Sequence, residues 1–164
     1  WFTDNGYQIH HTKGYYEGGD LLAFQGEFFL GTGFRSQEES AIFLSQILST
    51  QVHQLTLCDE HFYHLDTCLF PLDERTAFYY PKAFSAASLQ TLQQQIPTLI
   101  ELTDDEAYGF SANALRVGDH VLISAGNHSF TKKISNLGYV PIAIDISEFI
   151  KAGGGIHCLV LCLQ

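Results

Sequence analysis

Leu21-Leu22-Ala23-Phe24-Gln25-Gly26-Glu27-Phe28-Phe29-Leu30-Gly31 reads as two short apolar strands folded back on each other through the turn Gln25-Gly26. A helix signal follows at Ser36-Gln37-Glu38-Glu39, which has the capping-box form, serine at the cap and an acid three residues on. A β-rich stretch from Val52 to Leu57 completes a strand-turn-strand-helix-strand unit. The same plan recurs from His64, through the turn Leu72-Asp73-Glu74-Arg75, a helix capped by Ser85 and a strand from Thr98 to Leu102. It recurs again from Asn113, through Gly118-Asp119, a helix ending at Gly138 and a strand from Tyr139 to Asp145. A fourth start, Gly153-Gly154-Gly155-Ile156-His157-Cys158 with strand-like alternation after it, lies at the end of the chain. The starts at 20, 64, 113 and 158 are 44, 49 and 45 residues apart. That period is the mark of a repeat array or propeller-like ring, because one such unit cannot bury both its faces alone. Equivalent positions then converge on an axis. Here they are an acid, a histidine, an asparagine and a cysteine, so Glu17, His64, Asp66 and Cys158 should line one cavity.

At the other end, Trp1-Phe2-Thr3-Asp4-Asn5-Gly6 reads as the last turn of a helix stopped by Gly6, with a strand from Tyr7 to His11. The chain thus opens inside an element, and further structure is expected upstream of Trp1. The 164 residues are 46% hydrophobic, enough for a packed α/β core. A net charge of -10 opposes nucleic acid as a partner, since such binding rests on neutralising phosphates. No apolar run is long enough to span a bilayer and no signal peptide is legible, so no membrane partner is expected. Cysteines stand at 58, 68, 158 and 162 without zinc-like spacing, the usage of a reduced, cytoplasmic protein with no metal.

Cysteine reacts as thiolate, which needs a nearby cation, backbone amides or the substrate itself to form. Cys158 follows three glycines that allow backbone and ligand to approach closely. Cys58, Cys68 and Cys162 read as packing residues. On a strand, His64 and Asp66 would share a face and set an acid/base beside a carboxylate. Glu17 and Asp20 bracket two glycines, and either acid would orient the histidine or hold a cation. Taken singly these are ordinary features: Gly-Gly-Asp is a common turn, and a glycine run before a cysteine is a common loop. Complementary chemistry at matched phase is what makes them a candidate site.

Glu17-Gly-Gly-Asp20, His64-Leu-Asp66-Thr and Gly153-Gly-Gly-Ile-His-Cys158 together resemble the three motifs of the guanidine-modifying superfamily with the pentein fold, in order and over nearly the whole chain. The resemblance implies an α/β propeller of five ββαβ units, of which about three are present here as an N-terminally truncated ring, residues 1–164 being the C-terminal part of a single catalytic domain. It implies that Cys158 attacks the guanidinium carbon to give a covalent thiouronium, that His64 protonates the leaving amine and then activates water, and that Glu17 orients His64. Asp66 would pair with guanidinium N–H groups, Asp20, grouped with it on the substrate-binding side, would support Glu17 in orienting His64, and Arg35 of Gly31-Thr-Gly-Phe-Arg35 would hold a substrate carboxylate. No cofactor is implied, the partner is a small arginine-like guanidino substrate, and a homo-oligomer is compatible. Phe34, where deiminases often have Glu, and Asp66, absent from animal-type dimethylarginine hydrolases, place the closest likeness in the bacterial dimethylarginine-hydrolase-like and arginine-dihydrolase branch. The expected activity is hydrolysis of the guanidinium C–N bond of arginine or a methylated arginine. An amidinotransferase shares the chemistry, and a non-catalytic arginine-binding module shares the fold.

Overall fold

In the computed structural model, which describes residues 1–12 and 14–161, Gln25 and Gly26 have positive φ of 52° and 81°. That is the torsion of a two-residue hairpin turn whose twist suits the strands it joins. It connects β1 (Leu21–Phe24) antiparallel to β2 (Glu27–Thr32), with Phe24 opposite Glu27 and Leu22 opposite Phe29. Parallel pairing requires a crossover, and α1 (Ser40–Leu48) supplies it before β3 (Val52–Thr56) lines up parallel to β2.

The second unit repeats this with β4 (Leu69–Pro71), β5 (Thr76–Tyr79), α2 (Ala86–Gln95) and β6 (Thr98–Glu101). Asp73 shapes its turn by accepting from the backbone amides of Arg75 and Thr76, both at 2.8 Å. Ser85 caps α2 as its sequence predicts, accepting from the amide of Ser88. After the short α3 (Asp104–Tyr108), the third unit comprises β7 (Leu115–Val117), β8 (His120–Ser124), α4 (His128–Asn136) and β9 (Val140–Ile144), followed by α5 (Ser147–Ile150). The described residues therefore hold three sheets of identical topology, β1-β2-β3, β4-β5-β6 and β7-β8-β9.

One apolar cluster runs through all three, with Phe29 and Leu55 from the first unit, Phe78 and Leu92 from the second, and Ile123 and Phe130 from the third. Each such side chain contributes about 1.5–3 kcal/mol by leaving water, so the units are held to one another by the core they share. A cavity of about 240 Å³ is bounded by Leu22 of β1, Phe70 of β4 and Leu115 of β7, together with Asp66 and His157; of Glu17, His64, Asp66 and Cys158, the set expected to line one cavity, only Asp66 borders it. The first strand of each unit thus faces a common axis, as a ring requires. Among the described residues no helix is long and apolar enough to cross a membrane.

Three local expectations differ from the structure. Tyr7 to His11 pairs with no strand among the described residues, although Gly6 does end a 3-10 turn, Thr3–Asn5, with φ 85°. Ser36 does not cap α1, which begins four residues later at Ser40; its hydroxyl is drawn instead to the buried carboxylate of Asp20. After Gly153 the backbone makes a 3-10 turn, His157–Leu159, and the expected placement of Cys162 in a strand lies outside the described residues.

Candidate active site

A 3-10 turn precedes the first strand in two units and recurs at Cys158: Gly18–Asp20, Leu65–Thr67 and His157–Leu159. Glu17 and His64 occupy the same place, the extended residue heading its turn, at φ/ψ of -107°/146° and -120°/148°. Gly19, Asp66 and Cys158 are the middle residues. The phase assumed from Asp20 and His64 is therefore off by three residues. His64 and Asp66 do converge, but through a tight turn and not by strand alternation.

Hydrogen bonds between residues far apart in the sequence lock the turns together. Asp20 is fully buried; one oxygen accepts from the amide of Leu65 at 2.9 Å and the other from the hydroxyl of Ser36 at 2.6 Å. Burial pushes its carboxyl up, and Ser36, Leu65 and the nearby His64 pull it back. Each oxygen thus has a partner inside the fold, and Asp20 bears on the site through the Leu65 backbone and the Ser36 hydroxyl that it anchors. Gly31 makes this possible, because a Cβ there would stand 2.8 Å from the Asp20 oxygen and 2.9 Å from Leu65 Cβ. Ser36 also accepts from the amide of Glu17 at 3.0 Å, so one hydroxyl joins both acids of the motif.

Glu17 Oε2 lies 2.6 Å from His64 Nε2, the contact needed to hold an imidazole in one orientation. Gly19 leaves room beside the pair: a Cβ there would be 3.0 Å from His64 Nδ1 and 3.1 Å from each oxygen of Asp66. Asp66 is 2% exposed, and its Oδ2 takes His157 Nδ1 at 3.0 Å and the thiol of Cys158 at 3.5 Å. Its Oδ1 is buried with no hydrogen-bond partner. Cys158 is reachable from solvent on one side; burial of the other and the charge of Asp66 raise its thiol, against the amides of Gly155 and Asn113. Arg35 extends over the ring of Tyr63 at 5.1 Å, with Nη1 4.0 Å from Glu17 Oε1. Tyr63 in turn donates to the carbonyl of Gly153 at 2.9 Å, pinning the glycine run.

Sequence reasoning left Tyr63, His157 and Asn113 without roles, although all three touch this cluster. Asn113 was marked by its repeat position, and His157 only by adjacency to the cysteine. Nothing in the sequence signals Tyr63. Cys68 is fully buried, with its thiol raised well above the ordinary range by burial, as a packing residue should be. Cys58 is exposed, which corrects its expected place as a packing residue; its backbone amide donates to the carbonyl of Ala83 at 2.8 Å. Among the described residues no three His, Cys, Asp or Glu side chains converge as a metal site.

Residues 5–164 match a family model described as N,N dimethylarginine dimethylhydrolase, eukaryotic. The chain is 35% identical over 162 residues to the N(G),N(G)-dimethylarginine dimethylaminohydrolase of Mycobacterium tuberculosis, covering 98% of this chain and 54% of that protein. It is 34% identical over 168 residues to the bifunctional arginine dihydrolase/ornithine cyclodeaminase ArgZ of Synechocystis, covering 98% and 24%. Among solved structures, the product-bound N-terminal domain of the cyanobacterial arginine dihydrolase ArgZ superposes with a TM-score of 0.93 at 34% identity, over 98% of this chain and 62% of that one. A cysteine-to-serine mutant of the Pseudomonas aeruginosa dimethylarginine dimethylaminohydrolase complexed with citrulline superposes at 0.75 with 26% identity, over 88% and 55%. The chain spans about half the length of the two dimethylarginine hydrolases it matches.

Proposed function

Because the chain belongs to the N,N dimethylarginine dimethylhydrolase family and has its pentein-type α/β fold, we propose that it is the C-terminal part of one catalytic domain that hydrolyses the guanidinium C–N bond of arginine or a methylated arginine. The observation that carries this reading is the state of Asp66. A carboxylate 2% exposed with one oxygen unpartnered calls for a cation with N–H donors, since a buried charge is costly until paired and hydrogen-bonded. A guanidinium supplies both in one plane.

Cys158 sits 3.5 Å from the same carboxylate, and the Asp66 charge helps keep its thiol protonated while no cation is bound. A guanidinium arriving between them offsets that repulsion, so substrate itself favours the thiolate. The sulfur then attacks the guanidinium carbon, forming the C–S bond. His64, oriented by Glu17 at 2.6 Å, gives a proton to the departing nitrogen as the C–N bond breaks. The same imidazole takes a proton from water, which adds to the carbon of the thiouronium; the C–S bond breaks, and a ureido product leaves with the thiolate restored. Arg35, held over Tyr63 and 4.0 Å from Glu17, would take the carboxylate of an amino-acid substrate. The citrulline complex of the Pseudomonas aeruginosa relative is in keeping with such a product.

The test is product analysis by mass spectrometry on the full-length protein with arginine and methylated arginines, wild type against Cys158→Ser. Conversion to a ureido product by the wild type, abolished in a normally folded Cys158→Ser variant, is expected. Turnover by the serine variant would remove Cys158 from the chemistry.

A further inference from the structure

We propose that Asn113 is a positioning residue, a buried amide clamp that fixes Sγ of Cys158 by gripping both its sulfur and its main chain. Asn113 is fully buried, yet its side chain spends almost nothing on its own unit. Nδ2 donates to the carbonyl of Asp66 at 3.1 Å and to Cys158 Sγ at 3.1 Å, while Oδ1 faces the amide of Cys158 at 3.4 Å. The amide orientation is dictated by these partners: a carbonyl can only accept and a backbone N–H can only donate. The main-chain carbonyl of Asn113 adds a fourth link, accepting from the amide of His157 at 3.3 Å. One residue thus ties the turn of Asp66 to the turn of Cys158.

The surroundings are built to hold that amide in place. Phe110, three residues upstream, has φ of 60°, a strained setting for a bulky side chain, and its carbonyl takes the Asn113 amide at 3.2 Å. A Cβ on Gly155 would stand 2.5 Å from Asn113 Oδ1, so the last glycine of the run is what lets the clamp close on the following turn.

The polarity of the grip separates a clamp from mere packing. A neutral thiol sulfur is a weak acceptor and a thiolate a strong one, so an N–H aimed at Sγ is complementary to the reactive form. In the resting thiol, the S–H points to Asp66 Oδ2 at 3.5 Å while the Asn113 donor stays on the sulfur. When that proton leaves, the donor is already in place and Sγ need not move.

The inference rests on Cys158 being the nucleophile, but its test does not require turnover. Full-length wild type, Asn113→Ala and Asn113→Asp are alkylated with iodoacetamide across pH, and each cysteine is followed by peptide mass spectrometry. Exposed Cys58 serves as internal reference and buried Cys68 reports unfolding. The Cys158 midpoint should rise by about one to two pH units in Asn113→Ala, the loss of one hydrogen bond to a charged group, while Cys58 does not shift. Asn113→Asp keeps the shape and the Oδ1 acceptor but sets a carboxylate against sulfur, and should raise the midpoint at least as far. An unshifted Cys158 midpoint in either folded variant overturns the clamp. If Cys68 becomes as reactive as Cys58 in both variants, Asn113 is a folding residue and the clamp is likewise overturned. Loss of the hydrolase reading would show in product analysis and leave this titration unaffected.

Discussion

Replacing Gly19 with alanine adds one methyl at the point where His64 and Asp66 converge, and its effect can be worked out from the packing. Gly19 has no positive φ, so alanine suits the backbone and gains about 0.4–1 kcal/mol by restricting the unfolded chain. Against that, the new Cβ meets His64 Nδ1 at 3.0 Å and both Asp66 oxygens at 3.1 Å, some tenths of an ångström inside ordinary contact. Asp66 has little room to withdraw, being buried and tied to His157 at 3.0 Å. His64 is tethered only through Nε2 to half-exposed Glu17, so the imidazole gives way. Overpacking of this kind costs about 1 kcal/mol, which leaves the thermal midpoint within a few degrees of wild type. Catalysis has no such offset. A misplacement of about 1 Å costs roughly 100-fold, so a shift of half that size, with the methyl standing where substrate would lie, should lower kcat/KM by about 10- to 100-fold, or roughly 1.4–2.7 kcal/mol of transition-state stabilisation. Steady-state ureido-product formation by the full-length protein, measured beside thermal unfolding, is the assay. A Gly19→Ala enzyme with wild-type kcat/KM would refute the placement of the guanidinium against Asp66 and within reach of His64, and a collapse in thermal stability would refute the claim that Gly19 serves the site and not the fold.

Arg35→Ala should raise KM about 10-fold for arginine-like substrates and leave carboxylate-free guanidines little changed, through loss of one partly exposed charge-assisted contact; equal effects on both substrate types would make Arg35 structural. Asp73 is held below its ordinary carboxylate value: partial burial works against this, but the amides of Arg75 and Thr76 and the hydroxyl of Tyr139 outweigh it. A depressed folded value contributes stability that is present above the unfolded value and is lost as pH falls through the folded one, so the Tm deficit of Asp73→Asn should be full near pH 7 and shrink as pH falls below the ordinary carboxylate value of about 4. A deficit independent of pH would show that the turn depends on shape and not on charge.

The repeat plan was legible because it rests on short-range signals. Gln25-Gly26, the Asp73 turn, Ser85 before α2 and Gly118-Asp119 each act on backbone within a few residues, and the structure keeps all of them. Misreadings came where a side chain had a local and a distant use to choose between. Ser36 has the local pattern of a helix cap, but the buried carboxylate of Asp20 stands 2.6 Å away, and an unsatisfied buried charge outbids an exposed helix end. His64-Leu-Asp66 has the alternation of a strand; it is a 3-10 turn because Leu65 is pulled into the core while its amide is taken by Asp20. Cys58 has apolar Leu57 before it but Asp59 and Glu60 after it, and it is exposed where the chain leaves the core just past buried Leu57.

By itself the sequence determined the α/β units, their order, and that an acid, a histidine and a cysteine recur at related phase, since periodicity, turn torsions and glycine placement are properties of neighbouring residues. Tertiary structure alone decided which of those groups meet. Cys158 and Asp66 are 92 positions apart, His64 and Glu17 are 47 apart, and Asn113 reaches both Asp66 and Cys158 across 47 and 45. No local rule sets such distances: they follow from three units packing on one core around one axis, which turns residues at like positions inward and lets glycines at 19, 31 and 155 bring their backbones close enough for carboxylate, imidazole, amide and thiol to touch.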